Sequence, residues 1–70
     1  MTLAKHLEAN GWHPARIARL ARNLVSFDGT RIYVSRSWDD GIIPGFVPVA
    51  DRWHGSETDG YWTHLYVKEG

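Results

Sequence analysis

The sequence predicts an α+β domain, with two short N-terminal helices packed on a small antiparallel sheet of three to four strands. Three observations carry this. Apolar residues recur at helical spacing up to about residue 24. Asp28-Gly29 then sits between two β-prone runs, a strong local hairpin signal. The segment "YWTHLYVK" near the end alternates and is rich in aromatic and β-branched residues. Seventy residues allow one domain, 1–70.

The first helix is read over "TLAKHLEANG". Thr2 is its N-cap, Leu3 and Leu7 share a face at i, i+4, and Asn10-Gly11 supplies the left-handed residue that ends it. Trp12 begins a tight connection. The second helix opens at His13-Pro14, because proline at the first helical position loses no hydrogen bond. Ile17, Leu20, Ala21 and Leu24 fall on one arc of it; Arg16, Arg19, Arg22 and Asn23 fall on the opposing arc.

Strands are expected at about 24–27 and 30–37, joined at Asp28-Gly29, where both residues can take positive φ. "DDGIIPG" reads as a loop. "FVPVA" reads as a short edge strand, since Pro48 cannot donate within a central ladder. "HGSETDG" reads as a polar loop and "YWTHLYVK" as the last strand. There, Tyr61, Thr63, Leu65 and Val67 suit a core, which leaves Trp62, His64, Tyr66 and Lys68 on the other face.

Composition bounds the function. At 43% hydrophobic and with four tryptophans, the chain has too much to bury for a disordered segment. A domain this small buries only roughly 60% of its unfolded surface, which leaves little apolar material for a concave active site. Without cysteine, neither a disulfide nor a thiolate zinc site can form, which fits a reducing cytosol. Lys5, His6 and Glu8 interrupt any apolar leader, and "GIIPGFVPVA" is too short to span a bilayer. The expectation is a cytoplasmic, non-catalytic protein with no membrane partner, no cofactor and no small-molecule substrate.

The net charge of zero hides a division. Residues 1–36 carry six cations and two carboxylates, a balance of plus four; residues 37–70 carry two cations and six carboxylates, a balance of minus four. That suggests oriented docking on a charged partner. The arginine stripe offers forked donors for carboxylate or phosphate. The aromatics and acidic loops offer hot-spot contacts and a match for a basic surface. The expected partner-binding residues are therefore Arg16, Arg19, Arg22, Asp39, Asp40, Trp53, Glu57, Asp59, Trp62 and Tyr66. Of these, Trp53 and Trp62, beside polar loops, are the ones expected to be partly exposed.

The leading expectation is a protein-binding module, an inhibitor or adaptor docking on a larger nucleic-acid-processing complex. An inhibitor of the anti-CRISPR kind is one example of that class by size and charge, without a shared motif. The alternative is a winged-helix-type DNA-binding regulator whose Arg16/Arg19/Arg22 helix meets phosphate or base edges. A third reading is self-association of the basic half with the acidic half of a second copy. Metal binding through His54 and His64 lacks a ligand motif, and a triad through Ser56 lacks a nucleophile-elbow sequence.

Overall fold

The computed structural model describes residues 2–69. Helices α1 (Leu3–Ala9) and α2 (Pro14–Asn23) are followed by strands β1 (Leu24–Phe27), β2 (Arg31–Ser35), β3 (Phe46–Gly55) and β4 (Gly60–Lys68). The four strands form one antiparallel sheet in the order β1-β2-β4-β3. This is the α+β class expected, with the helices on one side of the sheet.

The helix ends follow the local chemistry. Thr2 Oγ1 accepts from the Lys5 amide at 3.2 Å, and Gly11 takes positive φ just past α1. His13 caps α2, its Nδ1 accepting from the Ala15 amide at 3.0 Å, with Pro14 at the first position. On the inner face of α2, Leu20 is buried and Ile17 half-buried, while Ala21 is exposed although it shares their arc.

At the β1–β2 turn only Gly29 takes positive φ, not Asp28 as well. Asp28 acts through its side chain instead. Its Oδ1 accepts from the Thr30 amide, the Thr30 hydroxyl and the Arg31 amide. Those amide donors, Arg31 first and then Thr30, hold its carboxyl below the usual aspartate range.

Two strand boundaries correct the expectation. β2 stops at Ser35 rather than residue 37, because the chain turns there. Trp38 donates its amide to the Ser35 carbonyl at 2.9 Å, and the indole is carried in under the helices. β3 is a ten-residue strand rather than "FVPVA" alone, and the polar loop contracts to a turn over 56–59. Cross-strand pairs of large rings, Trp53 with Trp62 and His54 with Tyr61, carry the hairpin past Asp51. Pro48 is tolerated because β3 lies at the sheet edge, and the register shifts beside it.

The helix-side core is Leu7, Trp12, Leu20, Ile32, Val34, Trp38, Ile43 and Tyr66. Tyr66 therefore belongs to the core (3% exposed): it shares a face with Trp62 but lies at the end of that face which the helices cover. The reason is register: Tyr66 pairs with Ile32, and α1 and α2 cover that side. The alternate set splits. Thr63 and Leu65 are buried on the far side of the sheet, Val67 is half-buried, and Tyr61 is exposed.

Candidate docking surface

The arginine stripe is largely engaged by the chain itself. Arg16 donates from Nε to Asp40 Oδ2 at 2.7 Å and from its terminal nitrogen to Oδ1 at 2.6 Å, a bidentate fork. Arg19 reaches Asp40 at 3.3 Å and Asp39 at 3.5 Å. Each guanidinium also lies over an indole: Arg16 over Trp12 at 3.8 Å and Arg19 over Trp38 at 4.9 Å. The two indoles are stacked, with centroids 6.1 Å apart. Loop 36–45 is thereby fastened across α2, and the basic and acidic halves of the sequence neutralise each other at this seam.

The electrostatics agree. The fork from Arg16, with further attraction from Arg19, holds the Asp40 carboxyl below the usual aspartate range despite its partial burial. Arg16 is in turn raised by Asp40. Burial pushes the Tyr66 hydroxyl up, with Trp38 as the opposing influence. The Trp38 indole N–H is buried and has no hydrogen-bond partner among the described residues. Arg22, in the last turn of α2, has no ion-pair partner among the described residues.

A second aromatic cluster stands at the far end of the β3–β4 hairpin. Trp53 and Trp62 face each other across the strands, edge to face at 5.5 Å, and both remain exposed, at 41% and 43%. Trp53 donates its indole N–H to the Ser56 carbonyl at 2.9 Å, which fixes the ring against the turn. Gly60 is required beneath it: a Cβ there would lie 2.7 Å from the Trp53 ring and 2.2 Å from the His54 carbonyl. Glu57 and Asp59 are exposed within that turn.

Next to the tryptophans on the same face comes the pair Asp51–His64, with His64 Nδ1 donating to Asp51 Oδ1 at 2.7 Å. Beyond it a cleft of about 420 Å³ opens between Trp38, Pro48, Asp51, His64 and Tyr66. Along this face the exposed indoles are thus followed by the Asp51 carboxylate and then by the open cleft. The opposite face of the hairpin carries His54 stacked on Tyr61 at 5.1 Å, and Tyr33 edge-on to His54 at 5.3 Å. His54 Nε2 is hydrogen-bonded at 2.8 Å to the hydroxyl of Thr63, which these rings bury.

Of the residues singled out from sequence, Arg16, Arg19, Asp39 and Asp40 are brought together with one another. Trp53, Trp62, Glu57 and Asp59 form a separate group at the hairpin end. Arg22 joins neither group, and Tyr66 is buried. Sequence reasoning missed Asp51 and its pairing with His64, placed Tyr61 in the core although it is exposed, and did not foresee the helix-side role of Trp12 and Trp38. Asp51 and His64 become visible only when β3 is extended to Gly55 and paired with β4. Among the described residues, no three histidine or carboxylate side chains are arranged to hold a metal ion. No helix among them is long and apolar enough to cross a membrane. Comparison with protein-family models, with curated protein sequences and with solved structures finds no match, so the functional reading stands on this chain's own geometry.

Proposed function

We propose that this protein is a small non-catalytic binding module that docks on a protein partner through the distal end of the β3–β4 hairpin. The observation that carries the proposal is the Trp53–Trp62 pair, two large rings held in fixed geometry and left over 40% exposed. Tryptophan at such a position is the residue type that dominates interface energetics. Glu57 and Asp59 in the adjoining turn make the same end acidic. That suits a basic partner surface, such as one built to hold nucleic acid, and it supports the role of inhibitor or adaptor on a nucleic-acid-processing complex.

The winged-helix alternative is less well supported. Its two leading arginines are already held by Asp39 and Asp40, so phosphate would have to displace carboxylates from both.

The test is affinity capture with tagged wild-type protein and with the variant Trp53→Ser/Trp62→Ser, folding of both checked by circular dichroism. The expected result is a specific partner retained by wild type, with or without nuclease treatment, and lost by the folded variant. Fluorescence anisotropy with labelled DNA and RNA runs alongside it. Micromolar nucleic-acid binding that weakens steeply with salt and is abolished by Arg16→Glu/Arg19→Glu would overturn the proposal in favour of the helix.

A further inference from the structure

The α2 seam combines tryptophans, guanidiniums and carboxylates, and the hairpin end presents tryptophans and a carboxylate without the guanidinium. At the α2 seam, a pair of tryptophans carries two guanidiniums on its faces, and the carboxylates of Asp39 and Asp40 close over them. At the hairpin end, a second pair of tryptophans stands beside the carboxylate of Asp51, one rung along the same face. Among the described residues, no cation lies over either of these rings.

From this juxtaposition we infer that the Trp53/Trp62 surface recognises an arginine side chain on an extended segment of the partner protein. The guanidinium stacks on an exposed indole and its N–H groups reach the Asp51 carboxylate. This rests on the docking role proposed above and specifies what the partner must present there.

Three further points on the surface support it. The arrangement fits a guanidinium better than an ammonium, because a planar fork can stack on a ring and donate to a carboxylate at once. Charge complementarity favours a cation. Asp51 lies on this face and Glu57 and Asp59 border it, whereas Arg52 has the opposite orientation in register. The first cation borne by a strand on this face is Lys68, six residues from Trp62 along β4 and so roughly 20 Å away. Arg36 is nearer, in the turn after β2, but covers neither ring. Finally, His64 holds Asp51 through a single oxygen, which leaves the second oxygen free to accept.

Isothermal titration calorimetry of the full chain at physiological salt tests the inference, with three peptides of equal length: alternating Gly-Arg, Gly-Lys and Gly-Glu. The Gly-Arg peptide is expected to bind, the Gly-Lys peptide about fivefold more weakly, and the Gly-Glu peptide not at all. Trp53→Ser/Trp62→Ser should abolish binding. Because those rings also brace the hairpin, Asp51→Lys supplies an independent check. It sits at an exposed position, leaves both indoles in place, and should also abolish binding.

Equal affinity for the arginine and lysine peptides would reduce the effect to general charge attraction and overturn the inference. So would binding that survives Asp51→Lys, or no binding of the arginine peptide. If the arginine peptide fails while partner capture still depends on Trp53 and Trp62, the docking role stands and only the arginine assignment falls. If capture ignores the tryptophans, both fall.

Discussion

Trp12 and Trp38 differ from Trp53 and Trp62 in how the rings meet, stacked in the first pair and edge to face in the second, and above all in what surrounds them. The first pair lies in the helix-side core, capped by Arg16 and Arg19 and sealed by Asp40. The second pair lies on a hairpin that runs beyond the helices, with carboxylates nearby and solvent over the rings. The inner set joins helix, loop and sheet, so its residues should answer mainly to measurements of stability. The outer set joins only two neighbouring strands, so its residues should answer mainly to measurements of binding.

The sharpest way to break this contrast is to truncate one ring from each pair. Trp38→Ala removes a stacked, buried indole and should cost about 3 to 5 kcal/mol in chemical denaturation, enough to leave a domain of this size largely unfolded. Trp62→Ala should cost about 1 kcal/mol, the scale of a cross-strand pair. Similar losses at the two positions would mean that the hairpin end is part of the structural core and not a free surface.

The carboxylates give the next contrast. Asp40→Ala should cost about 1 to 2 kcal/mol, because it breaks a bidentate, partly buried fork. Asp51→Asn should cost under about 0.5 kcal/mol, because Asp51 is exposed and water screens its pairing with the half-buried His64.

The inner site also leaves a signature in pH. Asp40 titrates below its unfolded value because Arg16 holds it. In that window the unfolded chain binds more protons than the folded one. Its stabilisation is therefore fully present above about pH 4 and lost as pH falls through the lowered folded value. Asp28, lowered by the amides of Arg31 and Thr30, acts in the same direction. Asp40→Asn and Asp28→Asn should each flatten the acid limb of the stability profile in part. An unchanged acid limb in both variants would show that neither carboxylate is held as described.

The smallest effect belongs to Arg22→Glu. Arg22 sits on the same helix face as Arg16 and Arg19 but has no ion-pair partner among the described residues, so stability should move by no more than about 0.5 kcal/mol. Partner binding should not change. A large loss of binding on this substitution would restore the helix as the functional surface.

The division between the two sites was only partly legible in the sequence. The helix caps at Thr2 and His13-Pro14, the hairpin at Asp28-Gly29 and the last strand could be read because each is set by neighbours a few residues apart. The exposure of Trp53 and Trp62 followed from the polar residues between them. What could not be read was pairing at long range. Nothing local says that Asp40 lies against Arg16, 24 residues away, and so the stripe looked available when it was not. The face of Tyr66 was ambiguous for a related reason. Both alternating sets of β4 are largely apolar, and only the partner strand and the helices decide which one is covered. Asp51 and His64 depended on the length of β3, which is set by ring pairs across the hairpin rather than by strand propensity.

The most direct test of the contrast follows the four tryptophan indole N–H resonances by two-dimensional NMR while the Gly-Arg peptide is added. The Trp53 and Trp62 signals are expected to shift in proportion to occupancy while those of Trp12 and Trp38 stay in place. Shifts at Trp12 and Trp38 with Trp53 and Trp62 unmoved would contradict this expectation, because the arginine recognition would then lie at the α2 seam.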